Sequence, residues 1–394
     1  MIAQRYKDML SGKSVIRQIS EWSTARGTEI GYENVFDYSL GNPSVPCPEH
    51  FTKTCIDLLQ TKEPVTLHGY SPTLTIPAVR KAVAESLNRR FGMDYGMEHI
   101  FMATGAAGAL AHAMRCVAVP GQDIITFAPF FPEYTVFVHN ANAKAVVLPP
   151  DTEHFQISLD ALEKAITPHT RAIIINSPNN PSGVVYSADT YEKLAALLTR
   201  KSQEIGHPIY IISDEPYREI IYDGLPILYV PKFYKDTIIC YSYSKSLSLP
   251  GERIGYVLVP DCAADAQEVY TAVCGAARSM GFVCAPHLFQ DVVLKCLGQT
   301  GDMNIYDENR KLLYNGLREM GYDCVYPSGA FYLFVKSPEA DAKAFSDKAK
   351  KLNLLIVPAD SFGCPGYVRV SYCVDPDMIK RSFAAFKKLM EQYK

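Results

Sequence analysis

The middle of the chain alternates short apolar runs with longer segments that have helical periodicity. The apolar runs lie at residues 123–127, 143–148, 171–176, 209–213 and 237–241. Nearly continuous apolar strands separated by helices predict a mostly parallel sheet that is covered by helices on both faces. Ligands bind such α/β sheets at the carboxyl ends of the strands, so the polar residues that follow these runs are the candidate site residues.

The last hundred residues have a different rhythm. A helical stretch near 303–320 precedes an apolar run at 329–335, a further helix, and a second apolar run at 367–372. This order predicts a smaller α+β domain that ends in a helix from Pro376 onward. We expect an N-terminal segment at 1–48 to join this small domain at 291–394, with the large domain at 49–290.

Composition narrows the class of protein. The 394 residues are 48% hydrophobic and carry a net charge of −3, which favours neither nucleic acid nor a membrane surface as a partner. No apolar run approaches the roughly 18–20 residues of a membrane span, and the start lacks the apolar core of a signal peptide. Eleven dispersed cysteines predict reduced thiols in a cytoplasmic protein. The histidine spacing predicts no metal site.

The segment with the most chemistry follows the 237–241 run. It holds Ser242, Ser244 and Lys245, and Arg253 lies eight residues after the lysine. A lysine just past a buried strand end is partly desolvated, which lowers its pKa and makes the neutral, nucleophilic amine available for a Schiff base. The serines and the arginine could bind a phosphate, so the set suggests pyridoxal phosphate. The alternative is an ordinary lysine in a polar surface loop.

Two other strand ends carry candidate side chains. Asp214 could keep a heterocyclic nitrogen of the cofactor protonated, and its alternative role is to cap the next helix. Asn180 lies in a turn rich in proline and asparagine. Together with Tyr217 it could donate to a phenolate oxygen of the cofactor, although the turn alone would account for its presence.

Three more positions have a functional and a structural explanation. The small residues at 103–110 open a helix whose free amides could hold a phosphate, and close helix–sheet packing explains them almost as well. Phe131 could stack on a planar cofactor or pack in the core. Arg369 lies inside an apolar strand and needs an anion, which is either a substrate carboxylate or an internal partner.

Taken together, these segments resemble the class I aminotransferases of the pyridoxal-phosphate fold type I superfamily. The resemblance extends from residues 39–43 to Arg369, and the motifs occur in the family order. It implies a mostly parallel seven-stranded sheet between helices, a smaller α+β domain, and a homodimer with shared active sites. The implied activity is a ping-pong transfer of an amino group between an L-amino acid and a 2-oxo acid, with aspartate and the aromatic amino acids as candidate donors.

The resemblance also implies a role for individual residues. Lys245 is similar to the Schiff-base lysine and proton shuttle, and Asp214 to the partner of the ring nitrogen. The other positions that match cofactor contacts are Tyr217 and Asn180 at the ring oxygen, Phe131 on the ring face, and Ala106, Ala107, Ser242, Ser244 and Arg253 at the phosphate. Tyr70 matches a tyrosine that reaches the phosphate from the neighbouring subunit.

The substrate positions match less completely. Arg369 corresponds to the arginine that holds the α-carboxylate, with Asn180 beside it, and Gly41 to a glycine that closes over the substrate. One branch of the family has a lysine at the position of Ala107 that binds the side-chain carboxylate of aspartate. Another branch binds the same side-chain carboxylate with an arginine from the neighbouring subunit, and Arg278 lies near the corresponding position in the sequence. This motivates the hypothesis of a dicarboxylate substrate.

Two alternatives to an aminotransferase stay open at this point. The same fold and cofactor site serve carbon–sulfur β-lyases of the cystathionine or cysteine lyase type, which need no oxo acid acceptor. The other is a regulator that holds the cofactor without catalysis. Such regulators generally carry an added DNA-binding domain, and no basic helix-turn-helix segment is visible in this chain. Thr75 replaces a glycine that the family has after the Tyr70 motif.

Overall fold

The structure is a computed structural model that describes residues 15–71 and 75–393, together with residues 4, 6 and 7. Its helices are α1 Val15–Ile30, α2 Glu49–Thr61, α3 Pro64–His68, α4 Pro77–Phe91, α5 Gly105–Val117, α6 Glu133–Asn140, α7 Leu159–Ala165, α8 Ala188–Ile205, α9 Tyr243–Ser246, α10 Ala266–Ser279, α11 His287–Cys296, α12 Met303–Glu319, α13 Ala342–Lys351 and α14 Pro376–Met390.

The strands of the large sheet are β2 Ile100–Ala103, β3 Asp123–Phe127, β4 Lys144–Leu148, β5 Thr170–Asn176, β6 Tyr210–Asp214, β7 Thr237–Ser242 and β8 Gly255–Leu258. The remaining strands are β1 Phe36–Asp37, β9 Asp323–Val325, β10 Tyr332–Lys336, β11 Leu354–Leu355, β12 Val357–Pro358 and β13 Tyr367–Ser371.

The large sheet has seven strands in the order β2-β8-β7-β6-β5-β3-β4. Strands β3 to β7 pair in parallel, and β8 is antiparallel to both of its neighbours. The predicted mostly parallel seven-stranded sheet is therefore confirmed. Register places Asn176, the last residue of β5, beside Asp214, the last residue of β6. The polar ends of adjacent strands consequently meet at one edge.

The central strands are apolar throughout because both faces of the sheet are buried. Ile174 and Ile212 belong to a core that includes residues of α5 and α10, whereas Ile173 and Ile211 face a separate core that includes residues of α7 and α8. Successive side chains of a strand point to opposite faces, so alternate isoleucines serve the two cores. Within the described residues, no helix combines the length and apolar character needed to cross a membrane.

A smaller four-stranded antiparallel sheet, β12-β13-β10-β9, follows the large one in sequence. The N-terminal part of the chain reaches this region, since β1 pairs in parallel with β11. Ile19 of α1 also packs in a core with Phe334 and Leu355. These contacts agree with an N-terminal segment that joins the small domain. The boundaries at 48 and 290 remain our proposal.

Candidate active site

A cavity of about 280 Å³ lies at the carboxyl ends of β5, β6 and β7. The structure brings all but two of the predicted site residues to its wall: Gly41, Ala106, Ala107, Phe131, Asn180, Asp214, Tyr217, Ser242, Ser244, Lys245, Arg253 and Arg369. These residues come from both ends of the chain and from the large sheet. Strand order and register are what place them together, as expected for an open α/β sheet.

Lys245 lies on the short helix α9, directly after β7. The side chain of Ser242 caps this helix by accepting a hydrogen bond from the amide of Ser244 at 3.1 Å. The Lys245 Nζ donates to the carbonyl oxygen of Gly41 at 2.7 Å. Burial lowers the pKa of Lys245 to about 8, and the positive charges of Arg253 and Arg369 act in the same direction. A useful fraction of the amine is therefore neutral near neutral pH.

Asp214 is a fully buried carboxylate at the end of β6. Its Oδ2 accepts a hydrogen bond of 2.5 Å from the Tyr134 hydroxyl, while its Oδ1 is buried without a partner among the described residues. Burial raises the pKa of Asp214 to about 7, and the bond from Tyr134 opposes this rise. An unpaired buried carboxylate oxygen beside a cavity fits a ligand that offers an N–H, such as a protonated pyridine ring.

Helix α5 begins at the wall of this cavity, close to Arg253. Gly105 has a φ of +74°, and a Cβ there would lie 2.8 Å from Nη2 of Arg253. The first turn of α5 has no side-chain cap from Thr104, so its amides are available to an anion. The hydroxyls of Ser242 and Ser244 lie 2.6 Å apart at the same wall. Amides, hydroxyls and a guanidinium together are a donor set that suits a phosphate.

Arg369 is a buried arginine that has no carboxylate partner among the described residues. Its Nη1 donates to Oδ1 of Asn180 at 3.0 Å, and its Nη2 donates to the carbonyl oxygen of Ser39 at 2.6 Å. It forms no ion pair with any acidic side chain of residues 15–71 and 75–393, and its Nε is buried without a partner there. A desolvated guanidinium with only neutral partners leaves a positive charge for a substrate carboxylate. The alternative of an internal ion pair is not seen among the residues that the structure describes.

Tyr332 is a cavity residue that the sequence pattern did not indicate. Its hydroxyl lies 2.8 Å from the hydroxyl of Tyr217, and the guanidinium of Arg369 lies 4.6 Å from the centre of its ring. A Cβ on Gly41 would lie 2.0 Å from the Tyr332 hydroxyl oxygen. Because position 41 has no side chain, the Tyr332 hydroxyl can pack closely against the backbone of Gly41.

Asn176, Tyr134 and Ile16 were also missed. Asn176 donates to the backbone carbonyl of Asp214 at 2.9 Å and accepts from the amide of Asn180 at 2.8 Å, so it links two predicted site residues. As the last residue of a predicted strand it was a detectable candidate. Tyr134 lies three residues after the predicted ring-stacking position, in the first turn of α6. Ile16, on α1, lines the cavity, and nothing in its local sequence distinguishes it from a core residue.

Tyr70 and Arg278 are the two predicted site residues that the chain does not bring to the cavity. Tyr70 is 98% exposed, and Arg278 is exposed near the end of α10. Neither lines the cavity. The tyrosine motif runs on to Pro72, which lies outside the described residues. Within one chain, these two side chains therefore have no access to the residues they were expected to serve.

Comparison with known proteins agrees with this geometry. Residues 33–386 match the family of class I and II aminotransferases. The chain belongs to this family. Members of it depend on pyridoxal phosphate, and the residues around the cavity fit that cofactor at its ring nitrogen and at its phosphate. The chain is accordingly a pyridoxal-phosphate-dependent aminotransferase, which confirms the predicted enzyme class and cofactor.

The individual relatives are also aminotransferases. This aminotransferase is similar to one from Eubacterium rectale whose crystal structure has a TM-score of 0.98, with 52% identity over 100% of this chain and 99% of that one. It is 30% identical to the aspartate aminotransferase of Thermotoga maritima over 91% of this chain and 94% of the relative. It is 28% identical to aromatic-amino-acid aminotransferase 2 of Thermococcus litoralis over 92% and 94%. The β-lyase alternative is not favoured.

Proposed function

We propose that this aminotransferase moves an amino group between an L-amino acid and a 2-oxo acid by a ping-pong mechanism, with Lys245, Asp214 and Tyr217 as its catalytic residues. The observation that carries the assignment is the arrangement of three buried charges around one cavity. A lysine with a lowered pKa, a half-satisfied carboxylate and an arginine with no anionic partner in the described part of the chain line the same space. Buried charges without an oppositely charged partner are costly, so a group of them around one cavity favours a functional role over a stabilising one.

Pyridoxal phosphate supplies a carbonyl carbon that combines with amines and a ring that accepts electrons when the α-proton leaves. In this proposal Lys245 attaches the cofactor covalently and later carries the α-proton at its Nζ. Its lowered pKa keeps part of the amine neutral, as a general base requires. Asp214 keeps the ring nitrogen protonated, and Tyr134 holds the orientation of its carboxylate. Tyr217 and Asn180 donate to the ring oxygen.

Substrate orientation falls to Arg369. Asn180 and Ser39 each accept a hydrogen bond from one of its guanidinium nitrogens, so the orientation of the guanidinium is fixed before the substrate arrives. A planar guanidinium binds a carboxylate through two parallel hydrogen bonds, which fixes the substrate about its Cα. Gly41 lies beside the same arginine and accepts the hydrogen bond from Lys245. Orientation of the Cα–H bond toward Lys245 is the expected result.

The cofactor phosphate is assigned to the part of the cavity wall where α5 begins. The amides of Ala106 and Ala107, the hydroxyls of Ser242 and Ser244 and the guanidinium of Arg253 line this part of the cavity. Arg253 has a φ of +53°, a left-handed backbone conformation that is uncommon for a side chain of this size. Residues held in such conformations cluster at functional sites, which supports a role for Arg253 in the site.

A homodimer with shared active sites is part of the proposal. Tyr70 and Arg278 are exposed in the single chain, as residues that act in a partner's site would be. The cations that line the cavity in the described part of this chain are Lys245, Arg253 and Arg369, and each already has a proposed role toward the cofactor or the α-carboxylate. A substrate with a side-chain carboxylate would therefore depend on Arg278 of the partner subunit. An aromatic substrate would not.

Both substrate classes have a named relative, since one relative is an aspartate and another an aromatic-amino-acid aminotransferase. Arg278→Ala separates them. A loss of kcat/KM for aspartate that exceeds the loss for alanine supports a dicarboxylate substrate, and equal losses remove that hypothesis. A cytoplasmic location belongs to the same proposal, and it is supported by the eleven cysteines, all of which are free thiols.

The central test is a panel of amino acids offered to the purified protein with and without 2-oxoglutarate. An aminotransferase forms product in quantity only when the oxo acid is present, whereas a β-lyase would release pyruvate and ammonia without it. Borohydride reduction should then fix the cofactor on Lys245. Lys245→Ala should lose turnover almost entirely, and the exposed Lys164→Ala should not. Labelling of another lysine would refute the assignment.

A further inference from the structure

One buried side chain, that of Gln290, connects two stretches of the chain. The first stretch carries Tyr70, and the second follows Arg278. Gln290 lies in the first turn of α11 and is fully buried. Its Nε2 donates to Oγ of Ser71 at 3.2 Å and to the carbonyl oxygen of Ala285 at 2.8 Å. Its Oε1 accepts from the amide of Ile76 at 3.1 Å.

The partners of Gln290 fix the orientation of its amide. The Ile76 amide can only donate and the Ala285 carbonyl can only accept, so the oxygen must face Ile76 and the nitrogen must face Ala285. Both amide hydrogens and the oxygen are then used. A glutamate would lack the two donors, and an apolar side chain of the same length would satisfy none of the three groups. Position 290 therefore requires the hydrogen-bonding groups of glutamine and not only a side chain of that volume.

Ser71 is the residue next to Tyr70, and the two differ sharply in exposure. Ser71 is 8% exposed, whereas Tyr70 is 98% exposed. The Ser71 hydroxyl has a second contact with α11, since it lies 3.3 Å from Nδ1 of His287. The chain thus passes from an anchored residue to a fully exposed ring in one step. The anchor is supplied by α11, and Gln290 does not line the cavity.

We propose that Gln290 is a positioning residue for the partner's active site. By holding Ser71, Ile76 and Ala285 to one another, it fixes the direction in which Tyr70 leaves the subunit surface, so that the tyrosine meets the cofactor phosphate of the partner. This inference rests on the proposed function, in which Tyr70 reaches that phosphate across the dimer. Gln290 itself touches neither cofactor nor substrate.

The test is a double-mutant cycle read as the Kd of the dimeric apoprotein for pyridoxal phosphate. Tyr70→Phe should raise this Kd about tenfold, because it removes a hydrogen bond to a charged group. Gln290→Met should raise it about fivefold through the same contact. In the Tyr70→Phe background, Gln290→Met should add less than about twofold, because the residue acts only through that hydroxyl. Sedimentation confirms that each variant is dimeric at the concentrations used.

Asn88→Leu is the matched control. The Asn88 side chain accepts from the amide of Tyr95 at 2.7 Å and donates to its carbonyl oxygen at 2.9 Å. Its replacement therefore also removes hydrogen bonds between a side-chain amide and the backbone. It should lower Tm without changing the Kd for the cofactor. Should Gln290→Met fail to fold, Ser71→Ala removes one of the same bonds at a smaller structural cost and should show the same dependence on Tyr70.

Four results would overturn the inference. The first is an unchanged Kd in Gln290→Met. The second is an equal rise in Kd with and without the Tyr70 hydroxyl, which would mean that Gln290 acts on stability alone. The third is an equal rise in the Asn88→Leu control. The fourth is an unchanged Kd in Tyr70→Phe, which would remove the cross-subunit contact itself. Failure of the wild-type protein to take up the cofactor would instead contradict the proposed function as a whole.

Discussion

Asp214→Asn should stabilise the apoprotein at alkaline pH, although it removes a residue assigned to catalysis. Asp214 is fully buried, and one of its carboxylate oxygens has no partner among the described residues. Its pKa rises from 3.8 to about 7 on folding because burial disfavours the charge. Above that pH the folded apoprotein must hold a buried anion, which asparagine replaces with a neutral side chain of the same shape.

The magnitude follows from the difference in pKa. Between about pH 4 and about pH 7 the folded state binds a proton that the unfolded state has released, so the free energy of unfolding decreases as pH rises. A difference of about three pKa units corresponds to about 4 kcal/mol in all, of which roughly 2.5 kcal/mol develops between about pH 5 and about pH 8. The asparagine variant lacks this dependence.

The assay is urea unfolding of the apoprotein at both pH values, with the exposed Asp160→Asn as the control. Relative to wild type, Asp214→Asn should gain roughly 2.5 kcal/mol on going from about pH 5 to about pH 8, and the control should gain nothing. Cofactor should reverse the order, because the ring N–H gives the anion its partner in wild type alone. A pH-independent difference between Asp214→Asn and wild type would refute the reasoning.

Three further outcomes are expected. Tyr134→Phe should raise the pKa of Asp214 by about one unit, because it removes the hydrogen bond that opposes the effect of burial. The pH profile of cofactor binding should therefore move to higher pH, and an unshifted profile would contradict this. Arg369→Lys should lower kcat/KM about a hundredfold through KM, since lysine lacks the planar fork, and a change confined to kcat would exclude carboxylate binding. Gly41→Ala should lower kcat/KM by more than about tenfold through collision with the Tyr332 hydroxyl, and Tyr332→Phe should partly restore it. Steady-state kinetics with saturating cofactor measure the Arg369 and Gly41 variants. If Tyr332→Phe does not restore activity to Gly41→Ala, collision with the Tyr332 hydroxyl is excluded as the cause.

The sequence indicated candidate site residues wherever a polar or charged residue interrupted or followed an apolar run. Lys245 and Asp214 follow buried strands, and Arg369 interrupts one, so each was visible as a charge in a costly place. The large sheet was predictable for the same reason, because its strands are apolar on both faces. A resemblance to one family then supplied the roles that polarity alone left open.

Residues whose role depends on tertiary contact were not predictable in this way. Tyr332 lies in an apolar run and looks like a core residue, and only the packing against Arg369 and Gly41 shows its place in the cavity. Ile16 is one apolar position of an N-terminal helix, far in sequence from the other wall residues. Tyr70 and Arg278 are exposed in the single chain, so the roles proposed for them require a second copy of the chain.

Arg369 joins parts of the molecule that are distant in sequence. It belongs to β13, and its guanidinium bonds to Ser39 near the N-terminus and to Asn180 after β5. Selection for a robust fold and selection for activity therefore act on one side chain and cannot be relaxed separately. New substrate preferences are more accessible at Ile16, which holds no such junction, so laboratory evolution of this enzyme should first accumulate changes on α1.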